Sequence, residues 1–242
     1  MSDTLRIDRI LSNSGYGTRK EIKKLIRDGD VSVDGNITND PGIHINPENH
    51  IIHVKGQRIN YRKYVYIMMN KPAGVITSTE DKRENTVIGL LPQEYAEFKP
   101  SPAGRLDKDT VGLLLITNDG YLIHKLISPA NHVSKVYYAR IKGMVCKSDV
   151  DDFKNGVMLD DGYKAMPANL RIIAQGGESE VEVEIFEGKY HQVKRMFEAI
   201  GKKVLFLMRI SMGPIKLDPG LKPGEFRELT PYELKSLTAC TN

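Results

Sequence analysis

Cysteine is scarce: Cys146 and Cys240 are the two in 242 residues, with no disulfide pattern and no metal-ligand spacing. That excludes a disulfide-stapled secreted scaffold and a thiolate metal centre, and it fits a reducing compartment. Long apolar runs are missing too. No stretch approaches the ~20 residues of a membrane span, and the opening MSDTLRIDRILSNSG has no apolar heart of a secretion signal. A soluble cytoplasmic protein is expected. Also absent are a phosphate-binding glycine loop, a cluster of metal ligands, an internal repeat and a low-complexity tract. Charge is nearly balanced, 35 Lys and Arg against 31 Asp and Glu, so the chain as a whole is no polycation. The excess is local. Between Leu5 and Arg27, the basic residues Arg6, Arg9, Arg19, Lys20, Lys23, Lys24 and Arg27 face only Asp8 and Glu21.

The length exceeds one average domain and predicts one large or two unequal domains. In the first sixty residues, Ile7, Ile10 and Leu11 recur at helical spacing, and Gly15 stops that short helix. Thr18-Arg19-Lys20-Glu21 reads as a capping box, opening a helix with Ile22, Leu25 and Ile26 on its apolar face and Gly29 at its end. Val31-Ser32-Val33 then alternates into Asp34-Gly35, a two-residue hairpin signal, and extended pieces follow at Ile51–Val54 and Gln57–Ile59. Basic helix faces usually do no more than solvate a helix. Here Arg19, Lys20, Lys23 and Lys24 gather near a helix start, whose free N–H groups already favour phosphate.

These points (LRIDRIL, Gly15, TRKE, Leu25-Ile26, Gly29 and VxVDG) together resemble the S4-type RNA-binding domain. The resemblance implies binding of structured RNA through phosphate and shape, with Arg6, Arg9, Arg19, Lys20, Lys23 and Lys24 as contacts.

Asn60–Lys63 reads as a polar joint, and Tyr64–Met69 as an extended apolar run ending in the turn Lys71-Pro72-Ala73-Gly74. Glu80–Asn85 is a charged loop. Leu113–Thr117 is a continuous apolar run, the pattern of a strand covered on both faces, and Asn118-Asp119-Gly120 reads as turn chemistry, with Gly free to take a positive φ. The loop Gly104-Arg105-Leu106-Asp107 therefore precedes a rigid strand. A helix is expected at Tyr121–Ser128 with Leu122, Leu126 and Ile127 inward, a strand at Lys135–Ile141, and a short helix at Asp149–Lys154 capped by Ser148. Asn169–Ala174 and Glu180–Glu187 read as a hairpin around Gly176-Gly177. The helix His191–Ile200 buries Val193, Met196, Phe197 and Ile200, and presents His191, Lys194 and Arg195 on its other face. Thr230-Pro231-Tyr232-Glu233 is a second capping box with Pro at the first helical position. Strands and helices mix without βαβ alternation, so the expected class is α+β with a mixed, mostly antiparallel sheet.

NKPAGVITS (70–78), GRLD (104–107), KVY (135–137) and GKYHQVKRMF (188–197) are weak singly. In this order they resemble the pseudouridine synthases and, with the S4-like head, the RsuA type that modifies small-subunit (16S) ribosomal RNA. PAGRLDKDTVGLLLITNDG and EGKYHQVKRMF carry most of the likeness; Val111 departs from the small or polar residue usual there. The resemblance implies an S4 domain at 1–60 and a catalytic domain at 61–242, working on ribosomal RNA within an assembling small subunit. It also implies a monomer with no cofactor, metal or membrane.

Turning uridine into pseudouridine breaks C1′–N1, rotates the freed uracil and joins C1′ to C5, with no net redox change. The reaction needs one carboxylate that stays ionised in a partly dry pocket, where burial alone would raise its pKa. The resemblance puts Asp107 in that role, Lys194 as the cation beside it, and Tyr137 as the ring that stacks on the uracil. Asp107 then attacks C1′, adds to the ring or removes the C2′ proton; the residues leave all three open. Reaching the bond requires the nucleotide to leave its stack. Arg105 either enters the vacated space or holds a flanking phosphate, and Arg195 is either a phosphate contact or a surface charge. A different chemistry, Mg²⁺-dependent phosphodiester cleavage by Asp107, Asp109 and Asp119, is disfavoured because Asp119 fits a turn. His191 suits a structural or hydrogen-bonding role, and Lys71 either shapes a loop or touches RNA. The same residues are open to a large-subunit (23S) RNA synthase, or to a non-catalytic ribosome-assembly factor.

Overall fold

The computed structural model describes residues 4–47, 49–59 and 61–240. Asn60, where the polar joint was expected to begin, and the chain ends lie outside them. The chain divides into two compact units, Met1–Val65 with Pro92–Lys99, and Tyr66–Leu91 with Pro100–Asn242.

In the first unit, β1 (Leu5–Arg6) leads into α1 (Ile7–Asn13), then α2 (Arg19–Arg27), β2 (Val31–Val33), β3 (Asn36–Ile37), β4 (His44–Ile45), β5 (Ile52–Val54) and β6 (Gln57–Ile59). The short α3 (Gln93–Ala96) belongs to this unit. The expected capping box is present: Glu21 N–H donates to Thr18 Oγ1, and Thr18 N–H donates to Glu21 Oε2 at 2.7 Å. Asp34 (φ 49°) and Gly35 (φ 82°) are both left-handed, as a primed turn requires, and they close β2 onto β3. The antiparallel order is β3-β2-β5-β6, and β1 pairs separately with β4. Ile7, Ile10, Leu11, Ile22, Ile26, Val31, Ile45 and Ile52 form one buried cluster with Val54 and Ile59. Leu25 is only partly buried.

The second unit contains β7 (Tyr66–Lys71), β8 (Ser101–Pro102), β9 (Val111–Thr117), α4 (Gly120–Ile127), β10 (Lys135–Lys142) and α5 (Lys147–Asn155). Then come β11 (Asn169–Ala174), β12 (Glu178–Ile185), α6 (Gln192–Ala199), β13 (Lys203–Met212), β14 (Ile215–Lys216), β15 (Phe226–Glu228) and α7 (Pro231–Ala239). The sheet runs β11-β12-β10-β13-β9-β7-β15, with β14 on β13 and β8 on β9. Its pairings are antiparallel except β9 with β13. The expected α+β class with a mixed, mostly antiparallel sheet is what the chain adopts. At the parallel seam Gly112 lies opposite Arg209 with φ +99°. A Cβ there would strike the Arg209 carbonyl, so only glycine lets the strands close. That seam sets the height of the loop preceding β9.

Some local expectations need correction. Gly120 is not in a positive-φ turn: it is the first residue of α4, because the Asp119 carboxylate caps that helix by accepting from Leu122 N–H. Ile127 is 40% exposed rather than inward, since Leu122 and Leu126, four apart, occupy the buried face of α4 and the next residue turns away from it. Ser148 does not cap α5; the helix starts earlier, after Cys146, whose N–H donates to Asp149 Oδ2 at 2.7 Å.

The second capping box gives a pH-dependent prediction. Glu233 accepts from Thr230 N–H (2.7 Å) and from both arms of the Arg227 guanidinium (2.8 Å each). Those bonds, Arg227 first, hold its carboxyl down at about 2 against an ordinary 4.5. A depressed folded-state pKa stabilises above the unfolded value and is lost as pH falls through the folded one. Glu233→Gln should therefore lower Tm at pH 7 by on the order of 5 °C. In thermal melts the gap to wild type should close between pH 4.5 and about 2.

Candidate active site

The loop before β9 is held by its own main chain. Lys71, the last residue of β7, is fully buried, and its ammonium donates to the carbonyls of Thr110 (2.9 Å), Asp107 (3.0 Å), Pro72 (3.1 Å) and Lys108 (3.4 Å). Burial pushes it down to about 8, against the opposing pull of Asp109 and Asp107. Thr77 clamps the other side: its buried hydroxyl donates to Leu106 O (2.7 Å) and accepts from Leu106 N–H (3.1 Å). Thr110 N–H donates to Asp107 O, and Gly74 N–H to Lys108 O. The loop-shaping role expected of Lys71 is thus its geometry here. Thr77 gives no sign of its part in the sequence.

Asp107 rises from this fixed backbone with its side chain 25% exposed. Each carboxylate oxygen meets a different residue of the α6 region: Oδ2 lies 3.2 Å from Lys194 Nζ, and Oδ1 lies 3.4 Å from His191 Nε2. Lys194 also binds Asp109 Oδ1 at 2.6 Å. Burial alone would lower the Lys194 pKa, but the bonds to Asp109 and Asp107 outweigh it and hold the ammonium above its ordinary value. Asp109 is lowered in turn, chiefly by that same hydrogen bond.

α6 is aimed by a buried network that ties Glu187 and Gln192 of EGKYHQVKRMF to the distant Tyr163 and Met166. Glu187, 1% exposed, accepts from Tyr163 Oη (2.6 Å), Met166 N–H (2.9 Å) and Gln192 Nε2 (2.8 Å). Gln192 Oε1 accepts from Lys189 N–H. His191 is therefore not the first residue of the helix; it sits just before it in the left-handed region, at φ 49° and ψ 30°.

Asp107, Tyr137, Arg105, His191 and Gln192 line one cavity, with Leu106, Ile185 and Leu207 among its apolar wall residues. Tyr137 is buried in the sheet and Arg105 is exposed at the rim. The structure thus brings together Asp107, Tyr137, Lys194 and Arg105. It takes Arg195 elsewhere: that guanidinium binds Asp160 and, at 2.7 Å, Asp161, and both acids hold it charged. In the first unit Arg9, Arg19, Lys20, Lys23 and Lys24 are exposed, while Arg6 is paired with Asp8 at 2.7 Å. Asp119 caps α4 and accepts from Tyr66 Oη, so it stands apart from Asp107 and Asp109. Among the described residues no group of three or more His, Cys, Asp or Glu could hold a metal ion, and no helix is long and apolar enough to cross a membrane. The arrangement presents one carboxylate, with a cation on one oxygen and an imidazole on the other, beside a buried aromatic ring in an open cavity.

Comparison with known proteins shows the family of the chain. The family described as RNA pseudouridylate synthase matches residues 65–199, and the S4 domain matches 5–51. An uncharacterized RNA pseudouridine synthase of Bacillus subtilis, YtzG, is 47% identical over 96% of this chain and 98% of its own. The ribosomal small subunit pseudouridine synthase A of Vibrio cholerae is 39% identical, covering 96% and 99%. The ribosomal large subunit pseudouridine synthase B of Bacillus subtilis is 34% identical, covering 97% and 96%. With the S4 domain ahead of a catalytic domain that carries Asp107, the chain belongs to the RNA pseudouridine synthase family.

Proposed function

We propose that this enzyme converts a uridine of small-subunit (16S) ribosomal RNA to pseudouridine, acting on an assembling particle, with Asp107 as the catalytic carboxylate. The observation that carries the reading is Asp107 itself, seated on a rigid loop with Lys194 at one oxygen and His191 at the other. Residues 1–60 hold RNA, and residues 61–242 do the chemistry. Arg9, Arg19, Lys20, Lys23 and Lys24 supply phosphate contacts, with Arg6 reaching RNA once it leaves Asp8. The target nucleotide leaves its stack and enters the cavity, where the Tyr137 ring stacks on uracil and favours the flipped state by ~1–3 kcal/mol. Arg105, at the rim, takes the space the base has left. Lys194 sets a positive charge 3.2 Å from Asp107 beside a polyanion, and the carboxylate works at the C1′–N1 bond. The uracil rotates, C1′ joins C5, and the C5 proton leaves. Arg195, spent on Asp160 and Asp161, contributes to RNA binding only if phosphate displaces those acids.

The higher identity to the Vibrio small-subunit synthase, 39% against 34% for the large-subunit one, supports the 16S target. The test is tritium release from [5-³H]uridine-labelled 16S and 23S RNA, each naked and as an assembly intermediate. Release from the small-subunit intermediate is the expected result. Release from 23S RNA alone would reassign the substrate, and tight binding without release would leave an assembly factor.

A further inference from the structure

Tyr190 is 75% exposed, between Lys189 and His191, which both line the cavity. Its ring stacks on the His191 imidazole with centroids 3.8 Å apart and planes 17° from parallel. His191 holds its place through a left-handed backbone, at φ 49° and ψ 30°, which residues with a Cβ rarely adopt. The bend sets the imidazole against Asp107, and the outer face of Tyr190 toward solvent. Burial does not account for the tyrosine, and its backbone carbonyl, rather than its hydroxyl, is what Arg195 touches. What the pair presents is a flat aromatic surface continuing outward from the wall of the cavity.

Resting on the pseudouridine synthase reading, we propose that this surface seats the nucleobase immediately next to the flipped uridine in the RNA chain. Flipping one nucleotide leaves its neighbour without a stacking partner on one side. The Tyr190 ring replaces that partner, giving a stack of base, tyrosine and histidine that ends against Asp107. Every base has a π-face, so the seat contributes affinity without reading sequence. It also registers the strand: the base on Tyr190 fixes how far the uridine reaches toward Asp107.

The test uses the RNA fragment that supports tritium release, carrying 2-aminopurine or an abasic site at either position flanking the target. Wild type and Tyr190→Phe should quench 2-aminopurine at one flank, and Tyr190→Ala should not. Tyr190→Ala should weaken binding about 5- to 100-fold, the loss of one base–aromatic stack, and that loss should vanish on RNA abasic at the same flank. An unchanged melting temperature for Tyr190→Ala excludes misfolding. An equal loss on abasic RNA, or quenching that survives in Tyr190→Ala, would overturn the proposal. Wild-type tritium release on the same RNA separates the two claims: its absence would sink the activity, and its persistence with either of those results would sink only the seat.

Discussion

Asp107→Asn should release no measurable tritium from any RNA that wild type turns over, a loss on the order of 10⁴-fold or more in single-turnover rate. The substitution is nearly isosteric, and the loop is held chiefly through its main chain, the Asp107 side chain adding a long bond accepted from Thr110 Oγ1 at 3.5 Å that an Asn oxygen can also accept. Lys71 and Thr110 N–H bind the Asp107 main-chain carbonyl, and Thr77 holds Leu106. Lys194 keeps a partner in Asp109. The variant should therefore fold, melt near the wild-type temperature, and bind RNA at least as tightly, because a negative charge has left a polyanion site. Filter binding beside tritium release makes the comparison. A variant that bound normally and kept a tenth of the rate would remove Asp107 from the chemistry and return it to loop structure.

Lys71→Met should cost stability and activity together. The ammonium is the shared donor for carbonyls of Pro72, Asp107, Lys108 and Thr110. A thioether of similar length leaves them buried without that donor. Removing one partner of such a buried charged network costs ~3–5 kcal/mol, or a fall in Tm of about 10 °C at this chain length. At temperatures where the variant remains folded, turnover should drop on the order of 100-fold, because Asp107 is no longer held against Lys194 and His191. RNA affinity, which rests on other residues, should change little. Lys71→Arg should not rescue, since a planar guanidinium does not fit a pocket shaped to a compact ammonium. Normal turnover by Lys71→Met would show that the loop keeps its shape without the lysine.

What could be read from the sequence was what its chemistry makes local. The boxes at Thr18 and Thr230 stand where expected because Ser/Thr and Glu three apart satisfy each other's N–H groups. The Asp34-Gly35 hairpin holds for a similar reason, and β9 announces itself through an apolar run buried on both faces. Strands of two residues, such as β1, β4, β8 and β14, carry no periodicity and pass unseen. Ser148 is a good cap residue beside a better-placed start, and only tertiary structure chooses Cys146.

The site divides the same way. GRLD and KYHQVKRMF are weak singly, but the family resemblance they carry together sets Lys194 beside Asp107, and the two side chains do meet. The share of Lys194 taken by Asp109, the left-handed turn at His191 and the burial of Glu187 depend on residues far apart in the chain. Arg195 shows the limit most plainly. A basic helix residue beside Lys194 reads equally as a phosphate contact or a surface charge, and its partners stand 35 and 34 residues away, in a loop with no pattern of its own.

The parallel seam between β9 and β13 bears on how the molecule is made. Arg209 Nε reaches Leu113 O across 96 residues of chain, and that pairing closes the centre of the sheet. Contacts of such long sequence separation form late, because the loop-closure entropy precedes any reward from packing. During synthesis Lys71, Asp107 and Tyr137 emerge well before Lys194, and β13 follows later still. A ribosome-bound chain thus carries its carboxylate with neither its cation nor the strand that sets the height of its loop. The surroundings of Asp107 are complete only after β13 has been made.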